Sequence, residues 1–254
     1  MMAEYKLWDA LNCAKKLKWV DLTHPLDNSS PYWSGIPDGS VELSKTVFDW
    51  GNPMLECLIQ TFKFPGQFGT HIDFPGHFIR GAALSEGFGV EKGVWPLCVV
   101  DITDKVASDV HYAVTPDDIR AWEAKYGAIP DGAFVALRTD WSKRWPDMDA
   151  LSGAAPDGSE NFPGWSLDAL KYIYEVRHAA ANGHETLDTD ASAEAAKAED
   201  LACERYVLEQ GKLQIEVLCN LDQLPPAGAV LVAAWPNFTG ATGLPVRCWA
   251  VCEE

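Results

Sequence analysis

Short apolar runs recur along the whole chain, and they constrain its fold more than any other feature of the sequence. Buried strands are predicted from such runs at 97–103, 133–138, 213–218, 229–234 and 246–251, and further strands at 19–22 and 55–64. In 213–218 apolar residues alternate with Gln214 and Glu216, which is the period of two expected of a strand. Runs this short favour strands over helices.

Helical patterns lie between these runs. Helices are predicted over 4–18, after the N-cap Thr115 as far as Gly127, from Ser166 to about 176, and over the Ala- and Glu-rich segment 192–210. Segments 23–53 and 146–165 are rich in Pro, Gly and Asp and are predicted to be loops, whereas 178–190 has no clear pattern. Helices and strands alternate without a regular βαβ rhythm, so we predict one mixed α/β domain over 1–254.

Charge and cysteine usage narrow the class of protein. The formal net charge is −17, with 37 acidic against 20 basic residues, and such a field repels nucleic acids and anionic membranes. The seven cysteines form no C-x-x-C motif, and several lie inside apolar runs, which indicates a reducing, cytoplasmic location. No run approaches the roughly 18 apolar residues of a membrane span. We therefore expect a small-molecule substrate, with no nucleic-acid or membrane partner.

The segment 65–81 carries the strongest chemical signal. Its density of Pro and Gly excludes a long helix, so His71 and Asp73 lie two residues apart on extended backbone and project to the same side. One imidazole and one carboxylate facing a common volume can begin a Zn²⁺, Mn²⁺ or Fe²⁺ site. His77 follows a Pro-Gly turn and could serve as a third ligand or as a proton carrier. On spacing alone, an ordinary loop with two histidines is the favoured interpretation.

Residues 69–78 resemble the H-x-G-T-H-x-D-x-P-x-H signature of the cyclase family of metal-dependent hydrolases, which includes bacterial kynurenine formamidase and isatin hydrolase. Segments 21–26, 220–225 and 242–247 resemble other landmarks of that family. The resemblance implies a swivelling β/β/α fold, with a central barrel-like mixed sheet and flanking helices. It also implies a homodimer or homotetramer whose active sites can borrow a residue from a neighbouring subunit.

The sequence departs from the family pattern at two positions. Gln67 stands where the first His of the signature belongs, and Glu204 stands where formamidase-type members have a His twelve residues before Glu216. The ligand set implied by the resemblance is therefore Gln67, His71, Asp73, Glu204 and Glu216, around one divalent ion. Its oxygen donors favour Mn²⁺ relative to Zn²⁺. Glu204 and Glu216 could equally be solvated residues of a helix and a strand.

The resemblance implies a hydrolase that cleaves a small cyclic or aryl amide, or a lactone, through a metal-activated water. His77 is predicted to be the general base. Aromatic side chains predicted to shape the pocket, with core packing as the alternative, are Trp33, Phe68, Phe74 and Trp95. His24 could lie at the pocket edge or in a turn. Two other functions remain open: a small-molecule binding protein with a weakened metal site, and a metal-dependent cyclase or dehydratase.

Overall fold

The computed structural model describes residues 5–253, so Glu4 of the predicted first helix lies outside the described residues. The strands are β1 Lys18–Asp21, β2 Glu42–Phe48, β3 Ile59–Lys63, β4 His71–Asp73, β5 Val94–Asp101, β6 Ala113–Val114, β7 Phe134–Arg138, β8 Gly164–Trp165, β9 Ala181–His184, β10 Leu213–Glu216, β11 Ala229–Ala234, β12 Gly243–Pro245 and β13 Arg247–Cys252. The α-helices are α1 Lys6–Ala14, α2 Thr103–Val106, α3 Pro116–Tyr126, α4 Met148–Ser152, α5 Leu167–Lys171, α6 Ser192–Ala198 and α7 Ala202–Glu209. Short helical turns span Pro75–His77, Ser85–Gly87, Val90–Gly93, Trp141–Arg144, Tyr172–Val176 and Leu221–Gln223.

Nine of these strands form one mixed, barrel-like sheet in the order β1-β13-β11-β5-β7-β9-β10-β4-β12. The central strands β5, β7, β9 and β10 run parallel to one another, while β4 pairs antiparallel with both β10 and β12. The predicted fold class, a barrel-like mixed sheet with flanking helices, is confirmed. Among the described residues, no helix is long and apolar enough to cross a membrane.

Both faces of the central sheet are buried, which explains why its strands are continuous apolar runs. Leu97 and Val99 of β5 join the core on one face, together with Phe134 of β7. Cys98 and Val100 pack on the opposite face, in the core that the helices cover. Successive side chains of a strand point to opposite faces, so an uninterrupted apolar run supplies both cores.

The segment 192–210 is two helices rather than the single predicted one. Glu199 adopts a left-handed conformation with φ 51° and ends the first helix. The second helix starts anew because the Asp190 carboxylate accepts hydrogen bonds from the backbone N–H groups of Cys203 and Glu204, at 2.8 and 3.0 Å. A distant side chain therefore ends a pattern that locally favours a continuous helix.

Other sequence-based assignments also differ from the structure, and helix α4 and strand β8 lie within the predicted loop 146–165. Strand β2 lies inside the predicted loop 23–53 and pairs with β3, which itself begins at Ile59 rather than at 55. Most side chains of β2 are exposed, so no apolar run marks it in the sequence. Strand β9 lies in 178–190, between two parallel neighbours, and has the sequence Ala-Asn-Gly-His, which lacks the β-branched residues typical of strands.

Candidate active site

Strands β4 and β10 bring the central site residues together. In their antiparallel register His71 lies opposite Glu216, so the two side chains share one face of the sheet. Asp73 follows His71 by two residues and projects to the same face. His71 Nε2 is 3.3 Å from Glu216 Oε2 and 3.5 Å from Asp73 Oδ2. The three residues offer one ligand atom each within 4.8 Å of one another, a spacing that could hold a metal ion.

The surroundings of His71 fit a metal ligand. Its Nδ1 lies 2.8 Å from the Gly69 carbonyl oxygen, the usual partner of the non-ligating nitrogen of a metal-bound histidine. Its Nε2 is buried and has no hydrogen-bond partner. Burial opposes protonation of His71, but the Asp73 and Glu216 carboxylates outweigh it and raise the pKa well above the ordinary value. A cation facing Nε2 would take the place of that proton.

Further carboxylates crowd the same region. Burial, and then repulsion from Glu216, raise the pKa of Glu204 well above its ordinary value. The same two causes raise the pKa of Asp188 to about 8. Buried groups of one sign are costly unless an opposite charge compensates them. The donor set and the surplus of negative charge therefore both fit a divalent cation held by His71, Asp73 and Glu216.

Gln67 lies beside this cluster. Its Nε2 donates a hydrogen bond to Asp73 Oδ1 at 3.1 Å, and the side chain is half-buried at the cavity wall. Gly243 of β12 makes room for it: a Cβ there would overlap the Gln67 amide and come within 2.7 Å of Asp73 Oδ1. The amide is thus adjacent to a candidate ligand, and its own ligation remains a prediction.

The structure places Glu204 beside His77 rather than in the His71 cluster. His77 ends the short turn that follows β4, and its Nε2 is 3.7 Å from Glu204 Oε1. Glu204 is only 3% exposed, whereas the His77 side chain is about one-third exposed and lines the cavity. A histidine beside a buried carboxylate could transfer protons, and this role of His77 stays a prediction.

These residues border a cavity of about 420 Å³. Its walls are made by Pro31, Tyr32, Trp33, Ile36, Gln67, Gly69, His71, His77, Phe78, Trp145, Met148, Glu160, Leu187, Asp188, Leu201, Glu204, Glu216 and Val217. Sequence reasoning missed most of the apolar members, because they come from separate loops that only the fold brings together. His24 stacks on Trp145 with ring centroids 4.5 Å apart, which places it behind the cavity wall.

Of the four aromatic residues predicted to shape the pocket, the structure places only Trp33 in its wall. Phe68 is fully buried between Tyr32 and Phe64. Phe74 packs against Phe88 and Trp235, and Trp95 packs against Phe134. Phe74 follows Asp73 directly and so points to the opposite face, into the core.

The segment His184–Asp188 places one imidazole beside the Glu216 carboxylate, and its sequence does not indicate this contact. His184 Nε2 lies 3.4 Å from Glu216 Oε1, while Glu185 turns away and accepts hydrogen bonds from Thr139 and Ser142. Gln214 was also missed, although its place two residues before Glu216 on one strand was a usable signal.

Comparisons with known proteins agree with this geometry. Residues 20–191 match the profile of the Cyclase family, whose description is "Putative cyclase". Isatin hydrolase from Roseibium aggregatum is 34% identical over 190 residues, covering 73% of this chain and 72% of that protein. Kynurenine formamidase from Bacillus cereus is 28% identical over 90 residues, covering 35% of this chain and 41% of that protein.

Solved structures extend the similarity to the whole chain. Isatin hydrolase A from Labrenzia aggregata bound to benzyl benzoate superposes with a TM-score of 0.87 at 28% identity, covering 98% of this chain and all of that one. An isatin hydrolase bound to the product analogue thioisatinate gives the same TM-score and identity, with both chains fully covered. A structure described as a novel cyclase, at 19% identity and a TM-score of 0.70, shares the fold. The predicted family is confirmed: the chain belongs to the Cyclase family.

Proposed function

We propose that this protein is a metal-dependent hydrolase that cleaves the C–N bond of a small cyclic or aryl amide. The observation that carries the proposal is the buried, unpartnered Nε2 of His71, which faces the carboxylates of Asp73 and Glu216 at the wall of a cavity. The similarity to isatin hydrolase, at 34% identity over most of the chain, supports the same reaction class.

His71, Asp73 and Glu216 would hold the ion. Gln67 would either add its amide oxygen as a further ligand or keep the Asp73 carboxylate in place through a hydrogen bond. Oxygen donors outnumber nitrogen in this set, which favours Mn²⁺ relative to Zn²⁺. When bound, a divalent ion polarises a carbonyl and lowers the pKa of water, so that hydroxide is available near neutral pH.

His77 is the group proposed to move the proton. Its Nε2 accepts a proton from the attacking water and returns it to the amide nitrogen as the C–N bond breaks. A bound cation would offset the repulsion that raises the pKa of Glu204, and the ionised Glu204 carboxylate, 3.7 Å from that nitrogen, would then stabilise the imidazolium that forms between the two transfers. The burial of Glu204 keeps this carboxylate apart from bulk solvent.

The cavity favours a flat and neutral substrate. Trp33, Trp145 and Phe78 contribute aromatic surface to its walls. Among the lining residues of the described chain none is Lys or Arg, so no side-chain cation would balance a carboxylate on the substrate. We therefore favour isatin-like lactams over amino-acid-like amides.

The experiment is a substrate profile of protein stripped with a chelator and reloaded with Mn²⁺ or Zn²⁺. Bound metal is measured by inductively coupled plasma mass spectrometry, and hydrolysis of isatin, an aryl formamide and an aryl lactone is followed by absorbance. We expect about one ion per chain and turnover of the lactam that depends on it. Protein that binds these compounds without metal and without turnover would instead be a binding protein on this scaffold.

We also propose that the protein assembles into a homodimer or homotetramer in the cytoplasm. The β2–β3 ribbon is separate from the main sheet and exposes Val47, Ile59 and Phe62, each at least 44% exposed. Exposed apolar side chains grouped on one ribbon are typical of interaction sites. All seven cysteines are free, which agrees with a reducing compartment. Analytical ultracentrifugation would test the assembly, and a purely monomeric protein would contradict it.

A further inference from the structure

The side chain of Gln214 lies between the two carboxylates of the candidate metal site. Its Nε2 is 3.3 Å from Asp73 Oδ2 and 3.2 Å from Glu216 Oε1, within hydrogen-bond distance of both. The backbone explains this placement, because Gln214 is the register partner of Asp73 and precedes Glu216 by two residues on one strand. The side chain is completely buried, so neither donation competes with solvent.

The oxygen of the Gln214 side-chain amide also has a hydrogen-bond donor. Thr189 Oγ1 donates to Gln214 Oε1 at 2.9 Å, and the same hydroxyl lies 3.1 Å from His184 Nε2 and 3.3 Å from Glu216 Oε1. Thr189 and His184 are also completely buried. An amide turned by 180° would set its oxygen against two carboxylates, so the hydroxyl contact and the two carboxylates favour the same orientation.

We propose that Gln214 is a positioning residue that fixes the spacing and direction of Asp73 and Glu216, with Thr189 holding the amide in place. The inference rests on the proposed metal site. Two carboxylates without an ion repel each other and would turn apart. N–H donation to both offsets part of that repulsion and keeps their oxygens directed at His71 before an ion arrives. Outer partners of this kind are typically worth about 10–100-fold in metal affinity.

The test compares Gln214→Leu with wild-type protein through the dissociation constant for Mn²⁺, measured by chelator competition, and the electron paramagnetic resonance spectrum of bound Mn²⁺. We expect about 10–100-fold weaker binding and a broadened spectrum. Asn182→Leu is the matched control. Asn182 is a fully buried amide at the register position next to Gln214 in β9, and it hydrogen-bonds to Tyr174 instead of the carboxylates.

A second pair of variants covers the case in which Gln214→Leu does not fold. Thr189→Val removes the hydroxyl at nearly constant shape and should weaken Mn²⁺ binding. Thr189→Ser keeps the hydroxyl and should restore it, which a loss of packing alone would not explain. Thermal unfolding of the metal-free variants reports folding separately.

The outcomes separate this inference from the proposed function. Wild-type affinity in Gln214→Leu, or an equal loss in Asn182→Leu, overturns the positioning role while leaving the metal site intact. Wild-type protein that binds no divalent ion overturns the proposed function and this inference with it. Weakened binding in Gln214→Leu and Thr189→Val, with Asn182→Leu and Thr189→Ser close to wild type, supports the positioning role.

Discussion

Replacing His71 with alanine tests the proposed site most directly. The substitution removes the one nitrogen donor of the three-residue cluster, and it leaves the buried Asp73 carboxylate without an imidazole partner and the Glu216 carboxylate with His184 alone. It removes neither His77 nor the apolar cavity wall. The expected result is therefore loss of the ion and of turnover, with the substrate cavity retained.

The magnitude follows from the ligand count. Structural zinc sites with four protein ligands bind with roughly 10–16 kcal/mol, so one ligand corresponds to about 2.5–4 kcal/mol. At about 1.4 kcal/mol per factor of ten, His71→Ala should weaken metal binding by about 10²- to 10³-fold. Turnover at limiting metal should fall in proportion, and saturating metal should recover only part of it.

The assay is a titration of chelator-stripped protein with Mn²⁺ and with Zn²⁺, followed by isothermal calorimetry and by lactam hydrolysis. His178→Ala is the matched control, because His178 is exposed and does not line the cavity. Unchanged metal affinity in His71→Ala would refute the ligand assignment. An equal loss in His178→Ala would show that the effect does not come from the site.

Four further results are expected. His77→Ala should retain the ion but lower kcat by about 10²- to 10⁴-fold, and metal analysis beside steady-state kinetics checks both. Trp33→Ala should raise KM with an unchanged melting temperature, because Trp33 lines the cavity and is 66% exposed. Phe74→Ala should lower the free energy of unfolding by about 3–5 kcal/mol, measured by urea titration, because Phe74 fills the core. Burial lowers the pKa of His24 from 6.5 to about 4, so the unfolded state takes up that proton at a higher pH than the folded state does. The free energy of unfolding should therefore fall as the pH drops from 6.5 to about 4. His24→Gln should reduce this dependence of the free energy of unfolding on pH, measured by urea titrations at pH 7 and pH 5.

The sequence predicted those elements whose pattern lies within a few neighbouring residues. The strand containing Gln214 and Glu216 follows a period of two that is visible in six residues. The N-cap of α3 is a capping box between Thr115 and Asp118, and its residues lie three apart in the chain. Strand β2 escaped prediction because its pairing with β3, rather than apolar burial, holds it.

The aromatic residues show the limit of reasoning from composition. Phe74 and Trp95 lie close in sequence to site residues or within an apolar run, and nothing local states which face of the sheet they occupy. The face is set by the register of the strands, which turns Asp73 toward His71 and Phe74 toward the core. The cavity wall itself comes from loops far apart in the chain, such as those carrying Trp33 and Trp145.

By itself, the sequence determined the family and the pairing of His71 with Asp73, because two residues on extended backbone share a side whatever surrounds them. Only the tertiary structure decided the third member of the cluster. Glu216 reaches His71 through the register of β10 against β4, and Glu204 is directed to His77 by the start of α7. The physical reason is the distance along the chain over which each effect operates. Side-chain alternation relates adjacent residues, whereas strand pairing joins positions more than a hundred residues apart.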